Sequence, residues 1–351
     1  MTMQDIFQLS VKNGASDIHL VVDAPVLLRI DGELVAVEPK KLLSKKDIEQ
    51  MIFSLLTEEQ KKRFIADKEL DLGYEDDNKT RFRINLFYER GNLGLAARVI
   101  TDIIPSLEDL FMPKIAYDLL NLKQGLILVT GPTGCGKSTT LAAMINYINK
   151  QRSCSIITLE DPIEFRFKHD RSVIIQRQLG TDIISFDRGL RHVLRQDPNV
   201  IMVGEMRDLE TIATTITLAE TGHLVLATLH TYSAAQTIDR IIDIFPPHQQ
   251  TQIRMQLSMT LAAVISQRLL VKIGGGRIAA REILTNTPAV ANLIRESKIA
   301  QIKTVIETSS KEGMVSLDHD LKRLYDTKVI AKETAQAHMN NPELLERFRI
   351  I

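Results

Sequence analysis

The stretch GPTGCGKS at residues 131–138 constrains the fold of this chain more than any other. It has the spacing Gly-x-x-x-x-Gly-Lys-Ser, follows the apolar run GLILVT directly and opens the helical run KSTTLAAMINYINK. A glycine-rich turn between a buried strand and a helix N-terminus is the P-loop arrangement, in which backbone N–H groups and the helix dipole bind phosphate. The sequence therefore predicts a nucleotide-binding α/β domain.

Each residue of this loop has an expected role toward ATP. Lys137 is predicted to reach the β- and γ-phosphates, and the Ser138 hydroxyl is predicted to ligate Mg²⁺. The other predicted ATP-binding residues of the loop are Gly131, Thr133, Gly134, Cys135, Gly136 and Thr139. Cys135 occupies a position where the side chain is free to vary, so we expect an inert residue rather than a redox switch. ATP and Mg²⁺ are the predicted cofactors.

From residue 125 onward, apolar runs alternate with helical stretches. The four clearest runs are GLILVT, SIITLE, NVIMVGE and LVLATLH. Near-continuous apolar character is typical of strands buried on both faces of a sheet covered by helices. Ligands of an open α/β sheet bind beyond the carboxyl ends of the strands. Polar residues that follow these runs are therefore expected to share one site.

Acidic residues follow two of these strands. Glu205 follows NVIMVG and is predicted to act on metal-bound water or on the water that attacks ATP. After SIITLE, the residues Glu160, Asp161 and Glu164 are expected on a turn at the strand exit, because Pro162 ends the strand. Glu164 and Glu205 are both candidates for the general base, and the sequence leaves the choice between them open.

Two histidines flank the apolar run LVLATL. His230 stands at its exit and His223 just before its entry. A strand-end histidine is usually structural, but the P-loop and the acidic residues are expected at the same sheet edge. His230 is therefore predicted to sense the γ-phosphate or to orient Glu205, whereas His223 is predicted to cap the preceding helix or to pack.

Residues 1–100 read as a separate small α/β domain. Two amphipathic helices are predicted to open at Ser44 and Thr57, which are both good N-cap residues. The run TRFRINLFYERGNLGLAARVI predicts a β-hairpin. Arg81 and Arg83 have the same parity on its first strand and so share a face, and Arg98 lies on the second strand.

Composition and charge disfavour several other classes of protein. Lys plus Arg equals Asp plus Glu at 44 each, so the basic excess of a nucleic-acid binder is missing. Two cysteines cannot build a four-cysteine zinc site or a disulfide framework. No apolar run of roughly 18 residues and no signal-peptide pattern is present. We expect a cytoplasmic protein with no nucleic-acid partner and no integral membrane segment.

Four motifs together resemble a known family. In order, GPTGCGKST, LEDPIEF, GEMRD and TGHLVLATLHT resemble the Walker A, Asp box, Walker B and His box of the secretion ATPases of type IV pili and type II secretion. The resemblance covers almost the whole chain and is to the pilus-retraction branch. It implies an α/β fold with a RecA-like P-loop ATPase core at 123–285. A PAS-like α/β domain at 1–100, a linker at 101–122 and a C-terminal helical region at 286–351 complete the expected organisation.

The resemblance also implies a function. It implies a homohexameric ATPase that powers pilus retraction, and hence twitching motility, from the inner face of the cytoplasmic membrane. The implied partners are an inner-membrane platform protein of the pilus and a paralogous retraction ATPase. Arg81 and Arg98, ahead of Arg83, match the family's N-terminal arginines that reach a nucleotide between two subunits.

One departure keeps alternatives open. The retraction branch carries Ala-Ile-Arg-Asn-Leu-Ile-Arg-Glu, whereas residues 289–296 read AVANLIRE, with Val290 and Ala291 in place of Ile and Arg. An accessory retraction paralogue is therefore the first alternative. A pilus-assembly or type II secretion ATPase is the second, although such proteins generally carry a longer N-terminal extension and a four-cysteine zinc motif. A nucleic-acid translocase and a nucleotide sensor without turnover are the alternatives from other classes.

Overall fold

The computed structural model describes residues 1–30, 32–37, 41–100 and 103–345. The chain divides into two compact units, Met1–Ile103 and Ile104–Ile351. Parts of three predicted segments lie outside the described residues, namely 31 and 38–40 of the PAS-like domain, 101–102 of the linker and 346–351 of the C-terminal helical region. The remainder of that four-part division stays a prediction.

The described residues of the first unit form a six-stranded antiparallel sheet with three helices. Its elements are α1 (Met3–Lys12), β1 (Asp17–Leu20), β2 (Leu27–Ile30), β3 (Glu33–Ala36), α2 (Lys45–Phe53), α3 (Glu58–Asp67), β4 (Glu69–Glu75), β5 (Arg81–Glu89) and β6 (Asn92–Ile100). The strand order is β3-β2-β1-β6-β5-β4. Phe7 and Phe82 stack at 4.0 Å in its core, and Phe64 is also fully buried.

Local signals predicted this unit well. Ser44 and Thr57 are the N-caps of α2 and α3, and each accepts a hydrogen bond from a backbone N–H of the first turn. The predicted hairpin is confirmed as β5 and β6, with Arg83 directly opposite Arg98. Its two-residue turn has positive φ at both positions, which is the conformation of a type I′ turn.

The second unit is built on a seven-stranded mixed sheet. Its first elements are α4 (Lys114–Leu120), β7 (Gly125–Thr130), α5 (Lys137–Gln151), β8 (Ser155–Glu160), β9 (Val173–Gln178), α6 (Phe186–Val193), β10 (Val200–Val203), α7 (Leu209–Glu220) and β11 (Leu224–Leu229). It continues with α8 (Ala234–Asp243), α9 (Pro247–Thr260), β12 (Leu261–Val271), β13 (Arg277–Thr285), α10 (Pro288–Arg295), α11 (Ile302–Thr308), α12 (Leu317–Asp326) and α13 (Lys332–His338). The strand order is β13-β12-β7-β11-β10-β8-β9.

The central strands have the burial that their sequences predict. Every residue of β7, β10 and β11 is buried, and these strands pair in parallel with their neighbours. Strands β9, β12 and β13 were not predicted from the sequence. The strand β12 follows α9 without an intervening loop, so no turn signal marks its start. The strand β9 carries glutamines where a buried strand was expected to be apolar.

Helix α5 is anchored by side chains at its C-terminal end. Asn149 is 1 % exposed and its Nδ2 donates to the carbonyl of Lys168 at 2.8 Å. Its Oδ1 accepts from the backbone N–H groups of Asp170 and Ser172 at 3.2 and 3.3 Å. The helix that begins at the P-loop is thereby fastened to the chain just before β9.

Segments on either side of the sheet complete the core of this unit. Leu107, Met112 and Leu119, from the stretch predicted as a linker, are buried among its side chains. In α10, Val290 and Ala291 lie on the buried face, so the departure from the retraction branch falls at buried positions. Within the described part of the chain, no helix combines the length and the apolar character needed to cross a membrane.

Candidate nucleotide site

The predicted site residues of the second unit lie at the ends of four adjacent strands. Strands β7, β11, β10 and β8 are neighbours in that order and are parallel, so their carboxyl ends share one edge of the sheet. The P-loop follows β7, His230 follows β11, Glu205 follows β10, and Glu160 ends β8. This edge is the place where ligands of open α/β sheets bind.

The P-loop backbone has the shape of a phosphate cradle. Gly131 has φ 143°, and a Cβ there would lie 2.4 Å from the carbonyl oxygen of Gln267. Gly134 and Gly136 are also at positive φ, at 77° and 89°. The first N–H groups of α5 have no intrahelical partner. Gly136, the N-cap of α5, supplies no side-chain hydrogen bond to them either. This donor set fits the phosphates of ATP.

Lys137 points back over its own loop. Its Nζ donates to the carbonyls of Gly131 at 2.8 Å and Pro132 at 3.1 Å. Burial lowers the pKa of Lys137, and the nearby charges of Glu205 and Glu164 partly offset that effect. Both candidate general bases therefore lie within electrostatic range of this ammonium group.

Ser138 is exposed in the first turn of α5, where its hydroxyl would ligate Mg²⁺ beside the phosphates. Across the described residues, no group of three or more His, Cys, Asp or Glu side chains is placed to hold a metal ion.

Gln267 on β12 braces the P-loop and was missed by the sequence analysis. Its side chain is 2 % exposed, its Nε2 donates to the Cys135 carbonyl at 2.8 Å, and its Oε1 accepts from the Thr140 hydroxyl at 3.0 Å. One amide therefore joins the loop to the helix that follows it. The signal in the sequence was a glutamine inside an apolar strand.

Glu205 is held from both sides. Its Oε1 lies 2.9 Å from His230 Nε2 and its Oε2 lies 2.7 Å from an Arg207 guanidinium nitrogen. Burial alone would raise the pKa of Glu205, but the hydrogen bond from Arg207 and the charges of His230, Arg207 and Lys137 outweigh it and hold the pKa below its ordinary value. Glu205 is thus an ionised carboxylate with both oxygens engaged. Arg207 was not among the predicted site residues.

The backbone around Glu205 is fixed by the neighbouring strand β11. The hydroxyl of Thr228 donates to the Gly204 carbonyl, and the Thr228 carbonyl accepts from the Met206 N–H at 3.1 Å. Gly204 is also closely packed, since a Cβ there would lie 3.1 Å from the Leu159 carbonyl oxygen. Three strands therefore determine where the Glu205 carboxylate lies.

His230 bridges Glu205 and the P-loop. A carboxylate is an acceptor only, so Nε2 carries the hydrogen toward Glu205. The other ring nitrogen, Nδ1, lies 3.4 Å from the hydroxyl of Thr133. His223 lies at the opposite end of β11, with its Nδ1 3.0 Å from the Leu218 carbonyl at the end of α7, as expected of a helix-capping residue.

The acidic segment after β8 departs from the prediction in one respect. Asp161 and Glu164 are exposed, as expected of a turn. Glu160 is not on that turn, because it is the last residue of β8 and is only 7 % exposed. Burial raises the pKa of Glu160, against hydrogen bonds from Thr158 and Gln176 that favour its carboxylate. The expectation that Glu160 lies on the turn was wrong, because Glu160 still belongs to β8 and its side chain is bonded to Gln176 of β9.

The predicted arginines belong to the first unit and contact carboxylates there. Arg98 Nε lies 2.9 Å from Asp17 Oδ1, and Arg81 Nε lies 3.6 Å from Glu75 Oε2. The Arg98 side chain is 67 % exposed, so its guanidinium is accessible to an anion. The role of these arginines at a nucleotide stays a prediction.

Comparison with known proteins finds relatives over nearly the whole chain. Residues 1–343 match the type II/IV secretion system protein family. The type IV pilus retraction ATPase PilT of Pseudomonas aeruginosa is 43 % identical over 343 residues, which cover 98 % of this chain and 99 % of that protein. The type IV pilus ATPase PilU of the same organism is 38 % identical, with 97 % and 89 % covered. A crystal structure of the pilus retraction motor PilT with bound ADP has a TM-score of 0.90 at 44 % identity, and the match covers 99 % of this chain and 100 % of that one.

Replacing Gln267 with Leu is expected to weaken ATP binding by about tenfold or more, because a buried carbonyl and a buried hydroxyl lose their partners. Titration with a fluorescent ATP analogue measures the change. Val271→Gln is the matched control, since Val271 is an exposed residue at the far end of the same strand. Unchanged affinity in Gln267→Leu would show that the loop keeps its shape without this brace.

Cys135 is expected to resist alkylation in the folded protein. Its side chain is 2 % exposed, and burial raises the pKa of its thiol, so little reactive thiolate forms near pH 8. Cys154, which is partly exposed, is the internal comparison. Mass spectrometry after a timed maleimide pulse is expected to show Cys154 labelled first, and equal rates only after denaturation. Equal labelling of the native protein would contradict the inert role.

Proposed function

The chain belongs to the type II/IV secretion system protein family and is an ATPase, and from this we propose that it forms a homohexameric motor that powers type IV pilus retraction. The observation that carries the proposal is the site itself. A P-loop, a histidine-bound Glu205 and an exposed acidic segment share one sheet edge, in a chain 43 % identical to a retraction ATPase over 98 % of its length.

Glu164 is the general base in this proposal. Its carboxylate is exposed and lies within electrostatic range of Lys137, so it is accessible to a water molecule beside the γ-phosphate. Glu205 is less suited to accept a proton, because both of its oxygens are engaged and its pKa is lowered. We assign Glu205 to orienting metal-bound water. Asp161, whose charge acts on Arg207, supports that arrangement.

Lys137 and the helix N-terminus hold the phosphates, and Ser138 is the residue that would ligate Mg²⁺. When bound, Mg²⁺ neutralises charge on the phosphates. His230 links Glu205 with Thr133 of the loop. Because His230 contacts both Glu205 and the P-loop, a change at the γ-phosphate that moves the loop would also move Glu205.

Arg81 and Arg98 act on the nucleotide of a neighbouring subunit in this proposal. A guanidinium stabilises the charge that develops in phosphoryl transfer. Their present carboxylate partners, Glu75 and Asp17, show that each already binds an oxyanion. A ring in which one subunit completes the site of another would couple hydrolysis to movement between subunits.

The proposed setting is the cytoplasmic face of the inner membrane, with an inner-membrane platform protein of the pilus as partner. The exposed residues of the AVANLIRE helix that match the retraction branch are Asn292, Arg295 and Glu296. The two departures are buried, so the surface of this helix keeps the features of that branch. This favours a retraction motor, and an accessory role beside a paralogous retraction ATPase is the second candidate, supported by the 38 % identity to PilU.

Replacing Glu164 with Gln is expected to lower kcat by about 10²- to 10⁴-fold at saturating Mg-ATP, because the variant cannot accept the proton of water. Glu205→Gln is expected instead to raise the Mg²⁺ concentration required for half-maximal activity. Phosphate release at a series of Mg²⁺ concentrations separates the two. Wild-type kcat in Glu164→Gln would overturn its assignment as the base.

Replacing His230 with Ala is expected to slow ATP hydrolysis by about tenfold, the cost of one lost charge-assisted hydrogen bond, with no change in melting temperature. His248→Ala is the control, because His248 is exposed on α9. A matching fall in melting temperature would assign His230 a structural role.

Deleting the gene in its own organism is expected to leave cells with more surface pili and no twitching, since assembly continues without retraction. Electron microscopy of surface pili and a motility assay measure both effects. Lys137→Ala at the native locus is expected to reproduce the deletion, because the variant lacks a phosphate ligand. Cells without pili would indicate an assembly ATPase, and cells with near-normal retraction would indicate an accessory role.

A further inference from the structure

A pair of glutamines on β9 fixes both residues that flank Glu164. The Oε1 of Gln178 accepts from the backbone N–H of Ile163 at 3.2 Å. The Nε2 of Gln176 donates to the carbonyl of Phe165 at 2.8 Å. The two glutamines are two residues apart on one strand, so they share a face of the sheet. Glu164 therefore extends from a backbone that is anchored on either side.

Gln176 makes two further bonds from the same amide. Its Oε1 accepts from the backbone N–H of Phe167 at 3.0 Å, and its Nε2 also donates to Glu160 at 3.0 Å. Residues 161–172 form neither helix nor strand, so their backbone groups depend on side chains and water for hydrogen bonds. Gln176 supplies such bonds at two points of this segment.

Glu160 is the inner end of the network. Its carboxylate accepts from the Thr158 hydroxyl at 2.6 Å and from Gln176, and the backbone of Glu164 also bonds to it. One of the three donors to the buried Glu160 carboxylate is the backbone N–H of Glu164, the candidate base. Glu160 therefore helps to hold the Glu164 backbone in place.

We propose that Gln176 is a positioning residue for ATP hydrolysis, which together with Glu160 holds the segment around Glu164 so that the Glu164 carboxylate faces the attacking water. This inference rests on the proposed role of Glu164. It assigns Glu160, predicted from the sequence as a catalytic residue, to positioning through hydrogen bonds to the same segment.

The test compares Gln176→Leu in the wild-type chain and in the Glu164→Gln variant of the full-length protein. In the wild-type chain we expect kcat to fall by about 10- to 100-fold, since a displacement of about 1 Å at a reacting group has effects of this size. The dissociation constant of a fluorescent ATP analogue is expected to stay within about twofold, because the P-loop is built on other strands. In Glu164→Gln the same replacement is expected to cost nothing further.

Hydrogen exchange supplies a readout that does not depend on activity. Gln176→Leu is expected to increase exchange at the amides of residues 163–167, whereas Glu164→Gln is not. Ile175→Gln is the control, because Ile175 is exposed on the opposite face of β9. If Gln176→Leu does not fold, Gln176→Glu replaces it, since Glu keeps an acceptor for Phe167 but loses the donor to Glu160 and Phe165.

The kinetic, binding and exchange results together decide whether Gln176 positions Glu164. An equal loss of kcat in both backgrounds, or unchanged exchange at 163–167, would overturn the positioning role. A weakening of nucleotide binding as large as the loss of kcat would also overturn it. If Glu164→Gln keeps wild-type kcat while exchange rises in Gln176→Leu, the base assignment fails and the structural half of the inference stands.

Discussion

Parallel pairing of four strands is the constraint on which the site depends. Strands β7, β11, β10 and β8 lie side by side in that order, although they are first, fourth, third and second of the four along the chain. Because the four strands are parallel, their carboxyl ends bring the P-loop, His230, Glu205 and the acidic segment to one edge of the sheet. The helices between the strands make the crossovers that parallel pairing requires. Each of these segments therefore starts from the end of a buried apolar strand.

Side-chain amides and hydroxyls, from the buried Gln267 and Thr228 and the half-buried Gln176, then fix the irregular segments at that edge. Gln267 holds the P-loop, Thr228 holds the backbone around Glu205, and Gln176 holds the segment around Glu164. A buried polar group that loses its partner is costly, whereas a fully bonded one confers rigidity. Hydrolysis needs its groups held to within a fraction of an ångström before the reaction. These bonds supply that order where secondary structure does not.

The sequence predicted the features that depend on neighbouring residues and did not predict the contacts between residues far apart in the chain. The P-loop, the apolar strands and the N-caps at Ser44 and Thr57 are read within a few residues, because backbone conformation and burial depend on neighbouring side chains. The bond from Gln267 to the P-loop joins residues 132 positions apart, so no local pattern announces it. Glu160 was misplaced for a related reason, since only the position of β9 makes a carboxylate at the end of β8 a buried one.

Helix α5 is cross-braced, and this has a mechanical consequence. Thr140 near its start is bonded to Gln267, and Asn149 near its end is bonded to the chain before β9, about 14 Å away at 1.5 Å per residue. Because the helix is bonded near both ends, it cannot tilt without moving the sheet to which it is bonded. Load applied to this ATPase unit is thus carried by a stiff frame, and the site keeps its alignment under tension. In a motor that pulls on a pilus, we therefore expect elastic deformation to occur outside helix α5 and the sheet of the second unit.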